Sequence, residues 1–254
     1  MTKIVFITGA SSGIGQACAE IFARQGYSLI LAARRMERLL TLSRQLEEKY
    51  NTDTQLLNLD VRDKTMVRKS WESLPEAWRK VDVLINNAGL SQGLDPVFEG
   101  DTEDWDRMID TNVKGLLYVS RQVLPEMKKQ GAGLVINVGS IAGKEVYPNG
   151  NVYCASKHAV DALTKAMRID LLPYGVKVSA IHPGAVETEF SEVRFKGDKD
   201  RAKAVYKGFE PLYAEDIAEG VWFMASRPDH VVIQDMLIMP RDQASGTLFN
   251  KKAE

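Results

Sequence analysis

Tyr153 and Lys157 stand four residues apart in the stretch Asn151-Val152-Tyr153-Cys154-Ala155-Ser156-Lys157-His158-Ala159-Val160, a spacing that puts both on one face of a helix. A free tyrosine titrates near pH ~10 and exchanges protons poorly at neutrality; a neighbouring ammonium favours the tyrosinate and draws that pKa down toward the working range. The pair therefore reads as a tuned general acid/base. The same spacing also occurs on solvated helix faces, so the reading needs support from elsewhere in the chain. Ser140 stands thirteen residues upstream of Tyr153, just after the apolar run 134–138, where a strand of a parallel sheet delivers a hydroxyl at its carboxyl edge. At the start of the chain, an apolar run over residues 3–8 leads into Thr8-Gly9-Ala10-Ser11-Ser12-Gly13-Ile14-Gly15 and then into a helical pattern through Ala17, Ile21, Phe22 and Ala23. Glycines let such a turn approach a pyrophosphate closely, and the helix start holds its charge with backbone N–H groups and dipole. The spacing is Gly-x-x-x-Gly-x-Gly, not the Gly-x-Gly-x-x-Gly of the ordinary dinucleotide fingerprint. Gly26 is placed to stop this helix.

Arg34 and Arg35 end the second apolar run, residues 28–33, about 20 residues past the glycines. An NAD-binding protein places there the Asp or Glu that grips the ribose 2′-hydroxyl, and this chain has no acid at that point. Two guanidiniums suit the 2′-phosphate of NADP; the alternative is that they merely begin a solvated helix over residues 36–50.

Elements that position these residues recur along the chain. Strands are expected over residues 54–59, delivering Asp60-Val61, and 81–85, delivering Asn86-Asn87-Ala88-Gly89. A long helix is expected over 102–129, capped by Thr102, with Asn112 inside it as the mark of a kink or bound water. Residues 176–181 read as a strand that Pro183 ends, since proline cannot continue a ladder, and His182-Pro183-Gly184-Ala185-Val186-Glu187-Thr188 leaves it. The segment 188–213 mixes aromatic and charged groups and reads as a substrate lid; a helix over 214–226, a strand over 235–239 and a polar tail over 240–254 follow. Strands alternating with helices give an α/β fold, a doubly wound parallel sheet of the Rossmann type, in one domain over residues 1–254.

Composition narrows the function. Lys and Arg total 33 against 34 for Asp and Glu, a formal charge of −1, which offers no field to nucleic acid or anionic lipid. No apolar run approaches the ~20 residues of a membrane span, and the N-terminus lacks a leader pattern, so a soluble cytoplasmic protein is expected. Cys18 and Cys154 read as packing residues, and the three histidines show no metal-ligand spacing. No metal site is expected.

Taken in order and spacing, Thr8-Gly9-x-x-x-Gly13-x-Gly15, Asn86-Asn87-Ala88-Gly89, Asn112, Ser140, Tyr153-x-x-x-Lys157 and Pro183-Gly184 resemble the short-chain dehydrogenase/reductase family over essentially the whole chain. Gly150-Asn151-Val152-Tyr153 and the stretch 189–198 are similar to its NADP-dependent 3-hydroxy acid branch, which includes serine and allo-threonine dehydrogenases. The resemblance implies about seven parallel strands and a homotetramer, with the helices of Asn112 and Tyr153 in an interface. It implies that Tyr153 transfers the proton, Ser140 holds the substrate oxygen, Lys157 lowers the Tyr153 pKa and bonds the nicotinamide ribose, and Asn112 holds a water linking Lys157 to solvent. The implied NADP(H) site comprises Gly9, Ser11, Ser12, Gly13, Ile14, Gly15, Arg34, Arg35, Asp60, Val61, Asn87, Ala88, Gly89, Tyr153, Lys157, Pro183, Gly184, Val186 and Thr188. Some NADP-dependent members carry a basic residue in the glycine turn where this chain has Ser12, so coenzyme choice rests here on Arg34 and Arg35. The expected substrate is a short 3-hydroxy acid or its carbonyl partner, its carboxylate met by Arg194 or, failing that, Lys196, beside Ser140 and Tyr153. The alternatives are a reductase of a bulkier sugar, steroid or acyl ketone, and a non-catalytic NADP(H)-binding protein.

Overall fold

The computed structural model describes residues 2–252. Met1, at the head of the first strand reading, and Ala253 and Glu254, at the end of the tail 240–254, lie outside the described residues.

β1 (Ile4–Thr8) and β2 (Ser28–Ala33) are buried at every position, as unbroken apolar strands must be when helices cover both sheet faces. They join β3 (Thr54–Asn58), β4 (Val83–Asn86), β5 (Gly133–Val138), β6 (Val176–Pro183) and β7 (Asp235–Ile238) in a seven-stranded sheet of order β3-β2-β1-β4-β5-β6-β7. Every pairing is parallel. Val5 and Ile7 pack with Phe22 of α1 (Gly13–Arg24), Leu39 of α2 (Met36–Tyr50) and Ile217 of α9 (Ala214–Ala225). Ile4 and Phe6 pack on the other face with Trp71 of α3 (Lys64–Ser73), Val119 of α5 (Leu116–Gln130) and Val160 of α6 (Asn151–Leu171). The strand order reverses between β1 and β4, so the crevice that binds ligands in such sheets opens where the glycine turn and the Asn87 loop leave them.

Three expectations are corrected. Pro183 does not end the ladder before it: β6 runs on, pairing His182 with Leu237 and Pro183 with Ile238. The missing proline N–H is not needed, because Gly184 N donates to Ile238 O at 2.8 Å. The long helix is not continuous: α4 (Thr102–Ile109) passes through a π-helical turn, Asp110–Gly115, into α5, which places Asn112 in a local widening. Asp101, not Thr102, caps α4, its side chain accepting from Glu103 N. Within 188–213 the chain forms two short helices, α7 (Phe190–Arg194) and α8 (Lys199–Ala204). The described part of the tail is tied down, with Gln243 bridged to Phe249 and its side chain accepting from Ala185 N at 2.8 Å.

Candidate active site

α6 carries Tyr153 and Lys157 on its buried side, at 7% and 6% exposure. Ser140 leaves β5 in extended geometry and heads a short turn, its oxygen accepting from Ala142 N at 3.1 Å while its hydroxyl meets the Tyr153 oxygen. Lys157 Nζ donates to Val138 O at 2.9 Å, which fixes α6 against the end of β5. The three polar groups expected from sequence are thus brought together by one helix and one strand end. Asn112 does more than mark the kink. Its amide oxygen accepts from Leu90 N at 2.9 Å and its amide nitrogen donates to Leu90 O and Ser156 Oγ at 2.8 and 2.9 Å, so both amide protons join the Leu90 loop to α6.

The electrostatics differ from expectation. Burial pushes the Tyr153 hydroxyl above its ordinary pKa; opposing that shift are the charge of Arg194 and the bond from Ser140, not Lys157. Burial likewise pulls Lys157 down from 10.5 to about 8, since one carbonyl is a thin replacement for water around an ammonium.

A cavity of about 320 Å³ runs from the glycine turn to Tyr153. Its walls include Gly9, Ser11, Ser12, Gly13, Ile14, Arg34, Arg35, Asp60, Val61, Asn87, Ala88, Gly89, Pro183, Gly184, Val186 and Thr188, together with Ser140, Tyr153 and Lys157. Gly15 does not line it but permits the turn, because a Cβ there would lie 2.3 Å from Gly9 O. Gly9 and Gly13 adopt φ of +67° and +52°, which an L side chain resists. Asn87 donates to Thr8 O and Gly9 O at 3.0 and 3.2 Å and so ties the two loops of the crevice together; Asn86 faces away, onto Ser120 and Asn137. Asp60 is forked by Arg62, which holds its carboxyl below the ordinary range. At the far end Arg34 is exposed, while Arg35 donates to Ser12 Oγ at 2.7 Å, Ser11 Oγ at 3.2 Å and Glu189 at 2.8 Å. Glycines that leave bare backbone on the cavity wall, a helix N-terminus behind them and guanidiniums at the end of β2 fit a dinucleotide carrying an extra phosphate.

Arg194, the last residue of α7, reaches in above Tyr153. Its Nε donates to Ser91 Oγ at 3.0 Å and its Nη2 to the Tyr147 hydroxyl at 2.8 Å. Its guanidinium carbon lies 5.1 Å from the Tyr153 ring centre and 5.2 Å from that of Phe190. Among the described residues no carboxylate pairs with it. Lys196 is placed elsewhere: it bonds Asp104 at 2.8 Å and Asp101 at 3.3 Å, holding the segment after α7 against α4.

The short chain dehydrogenase family model matches residues 3–199. Sulfoacetaldehyde reductase 2 of Chromohalobacter salexigens is 45% identical over 245 residues, covering 96% of each chain. An NADP-dependent 3-hydroxy acid dehydrogenase of Schizosaccharomyces pombe is 44% identical over 253 residues, covering 99% of this chain and 98% of that protein. Among solved structures, the closed form of serine dehydrogenase complexed with NADP+ superposes with a TM-score of 0.91 at 41% identity, covering 98% of this chain and all of that one. The chain belongs to the short-chain dehydrogenase family.

Sequence reasoning missed several walls of this short-chain dehydrogenase's cavity. Leu90, Thr111, Glu189, Phe190 and Val193 line it, and Ser91 and Tyr147 hold Arg194. Ser91 directly follows the Asn87 loop, and Tyr147 sits between Ser140 and Tyr153; only the fold, which brings residues 91, 147 and 194 together, distinguishes them. The fold also gathers Asp161, His182 and Asp235, whose ligand atoms lie within 4.8 Å of one another. The Lys144 ammonium sits between the two carboxylates, at 2.6 and 2.8 Å. Cys154 is buried beside Tyr153 among Leu90, Met108 and Ala142, and burial raises its thiol pKa.

Proposed function

We propose that this chain is an NADP-dependent oxidoreductase that interconverts the alcohol and carbonyl forms of a short hydroxy acid. One observation carries the substrate class: Arg194, held by Ser91 and Tyr147, lies 5.1 Å from the centre of the Tyr153 ring with no carboxylate of its own among the described residues. An acid group on the substrate gives that guanidinium a bidentate partner and turns the neighbouring hydroxyl toward Tyr153. The two named relatives, a sulfoacetaldehyde reductase and a 3-hydroxy acid dehydrogenase, fit the same reading, since each name describes a small substrate bearing an anion.

The residues divide the work. Tyr153 takes the hydroxyl proton in oxidation or returns it to the carbonyl oxygen in reduction, and Ser140 donates to that oxygen. Lys157, whose pKa burial draws down to about 8, bonds the coenzyme ribose. Asn112 keeps the Leu90 loop and α6 in register and, in this reading, holds a water that connects Lys157 to solvent. The glycine turn, Asp60, Val61, Asn87, Ala88, Gly89, Pro183, Gly184, Val186 and Thr188 hold the dinucleotide, with Arg34 and Arg35 on its 2′-phosphate. Bound NADP(H) supplies the hydride acceptor or donor. The segment 188–213 serves as the lid. Leu117 on α5 and Ile169 and Leu172 around the end of α6 are exposed apolar groups that support a homotetramer, checked by light scattering of the purified protein, and a cytoplasmic location, checked by cell fractionation, completes the reading.

The test follows NADPH absorbance with a panel of 3-hydroxy acids, 3-oxo acids and uncharged ketones. Turnover of the acids, with NADP(H) preferred to NAD(H), is expected. Turnover confined to uncharged ketones contradicts the substrate class, and binding without any turnover contradicts the enzyme.

A further inference from the structure

Glu189 lies at the junction of the coenzyme crevice and the lid. It follows Thr188, heads α7, and stands five residues before Arg194. Its two carboxylate oxygens are divided between two arginines of the β2–α2 corner: Arg35 Nη1 donates to one at 2.8 Å and Arg38 Nη1 to the other at 2.5 Å. The same Arg35 guanidinium is held from behind by Ser11 and Ser12 of the glycine turn. One guanidinium therefore touches both the turn that takes the pyrophosphate and the start of the lid, where Glu189 stands 154 positions beyond Arg35 in sequence. The bond from Arg38, together with that from Arg35, holds the Glu189 carboxyl below the ordinary carboxylate range, so the anion is present throughout the neutral range.

We propose that Glu189 is a coenzyme-specificity residue that acts as a latch: its carboxylate occupies on Arg35 the place of the coenzyme 2′-phosphate, so that NADP, but not NAD, releases the start of the lid. The inference rests on the reading of Arg35 as a 2′-phosphate anchor. A phosphate monoester carries about −1.5 to −2 charges at neutrality and three acceptor oxygens, and it outcompetes a single carboxylate for a bidentate guanidinium. Bringing it beside Glu189 also sets like charges together, which drives the carboxylate off. The 2′-hydroxyl of NAD brings no charge and leaves both ion pairs in place. α7 is a short helix whose head is Glu189 and whose last residue is Arg194, so freeing the one changes the freedom of the other. Coenzyme choice is thereby expressed at the substrate end of the crevice as well as at the adenosine end.

The experiment titrates NADP+ and NAD+ onto purified wild type, Arg35→Ala and Glu189→Gln by calorimetry, and follows amide exchange of residues 188–195 in wild type with each coenzyme at saturation. Loss of the NADP preference in Arg35→Ala upholds the reading on which the latch rests; an unchanged preference there removes that reading and the latch with it. Given that result, the latch predicts that Glu189→Gln binds NADP+ about three- to tenfold more tightly, with NAD+ affinity unchanged. It also predicts that NADP+ raises exchange at the start of α7 relative to NAD+. Weaker NADP+ binding in Glu189→Gln makes Glu189 a positioning residue for Arg35 and overturns the latch, as do unchanged affinities for both coenzymes or identical exchange with both.

Discussion

At the scale of residues, the site is a set of polar groups held in too little water. Tyr153 is pushed up by burial and Lys157 is pushed down by it, so two groups whose ordinary pKa values nearly coincide are driven apart, each toward its uncharged form. Tyr153→Phe removes the oxygen to which the proposed proton transfer is assigned and little else. Coenzyme affinity should hold while kcat falls at least ~100-fold, the lower bound for a lost general acid/base. A variant retaining a tenth of kcat, with chemistry rate-limiting, removes Tyr153 from that role. Lys157 makes a second prediction, with a definite sign. Its folded pKa of about 8 lies below the 10.5 of an ordinary lysine, so between those values the unfolded chain holds a proton that the folded chain has released. Unfolding then takes up a proton. Stability from this group is full above 10.5 and is lost as the pH falls to about 8. Melting curves of wild type and Lys157→Met across that window should show wild type gaining on the variant as the pH rises; parallel curves show that Lys157 is not the titrating group.

At the scale of elements, the two crevice loops depend on backbone approach. A methyl group at Gly15 meets Gly9 O at 2.3 Å and the Asn87 amide at 2.5 Å, and neither a backbone carbonyl nor a side chain already bonded to Thr8 and Gly9 can move aside cheaply. Gly15→Ala should weaken NADP+ binding at least tenfold in a fluorescence titration and lower the melting temperature; unaltered binding means that the turn tolerates the shift. The elements also show why some of this was legible from sequence. Strands buried on both faces are unbroken apolar runs, and the glycine turn and Tyr153–Lys157 spacing are local patterns, so the sheet, α1 and α6 could be read directly. The π turn at Asp110–Gly115 could not, because its cause is tertiary: Asn112 bonds residues 90 and 156 from within it. Pro183 misled for the same reason, since whether a missing N–H matters depends on which neighbour Gly184 finds. The short helices within 188–213 lack an apolar repeat long enough to declare them.

At the scale of the molecule, the crevice joins two chemistries that lie far apart in sequence. The walls at its glycine-turn end come from the loops after the first four strands and from residues 183–188 at and after the end of β6, and among them the glycines, Asn87 and Arg35 stand out in the sequence. Its Tyr153 end depends on residues 91, 147, 190 and 194 meeting over α6, which sequence spacing does not reveal beyond a lone Arg194 in a mixed segment. A guanidinium fixed by Ser91 and Tyr147, and stacked near Tyr153, is pre-ordered for an anion in a way that a solvated loop arginine is not. The hydroxy acid assignment therefore turns on that one cation. Its most direct measurement compares kcat/KM for a 3-hydroxy acid and for its methyl ester, on wild type and on Arg194→Ala. Wild type should prefer the acid, and the variant should lose most of that preference, by roughly ten- to a hundredfold for one charge-assisted bond, with the ester little affected. A variant that keeps the full acid-over-ester ratio, or a wild type that shows no preference, contradicts the assignment.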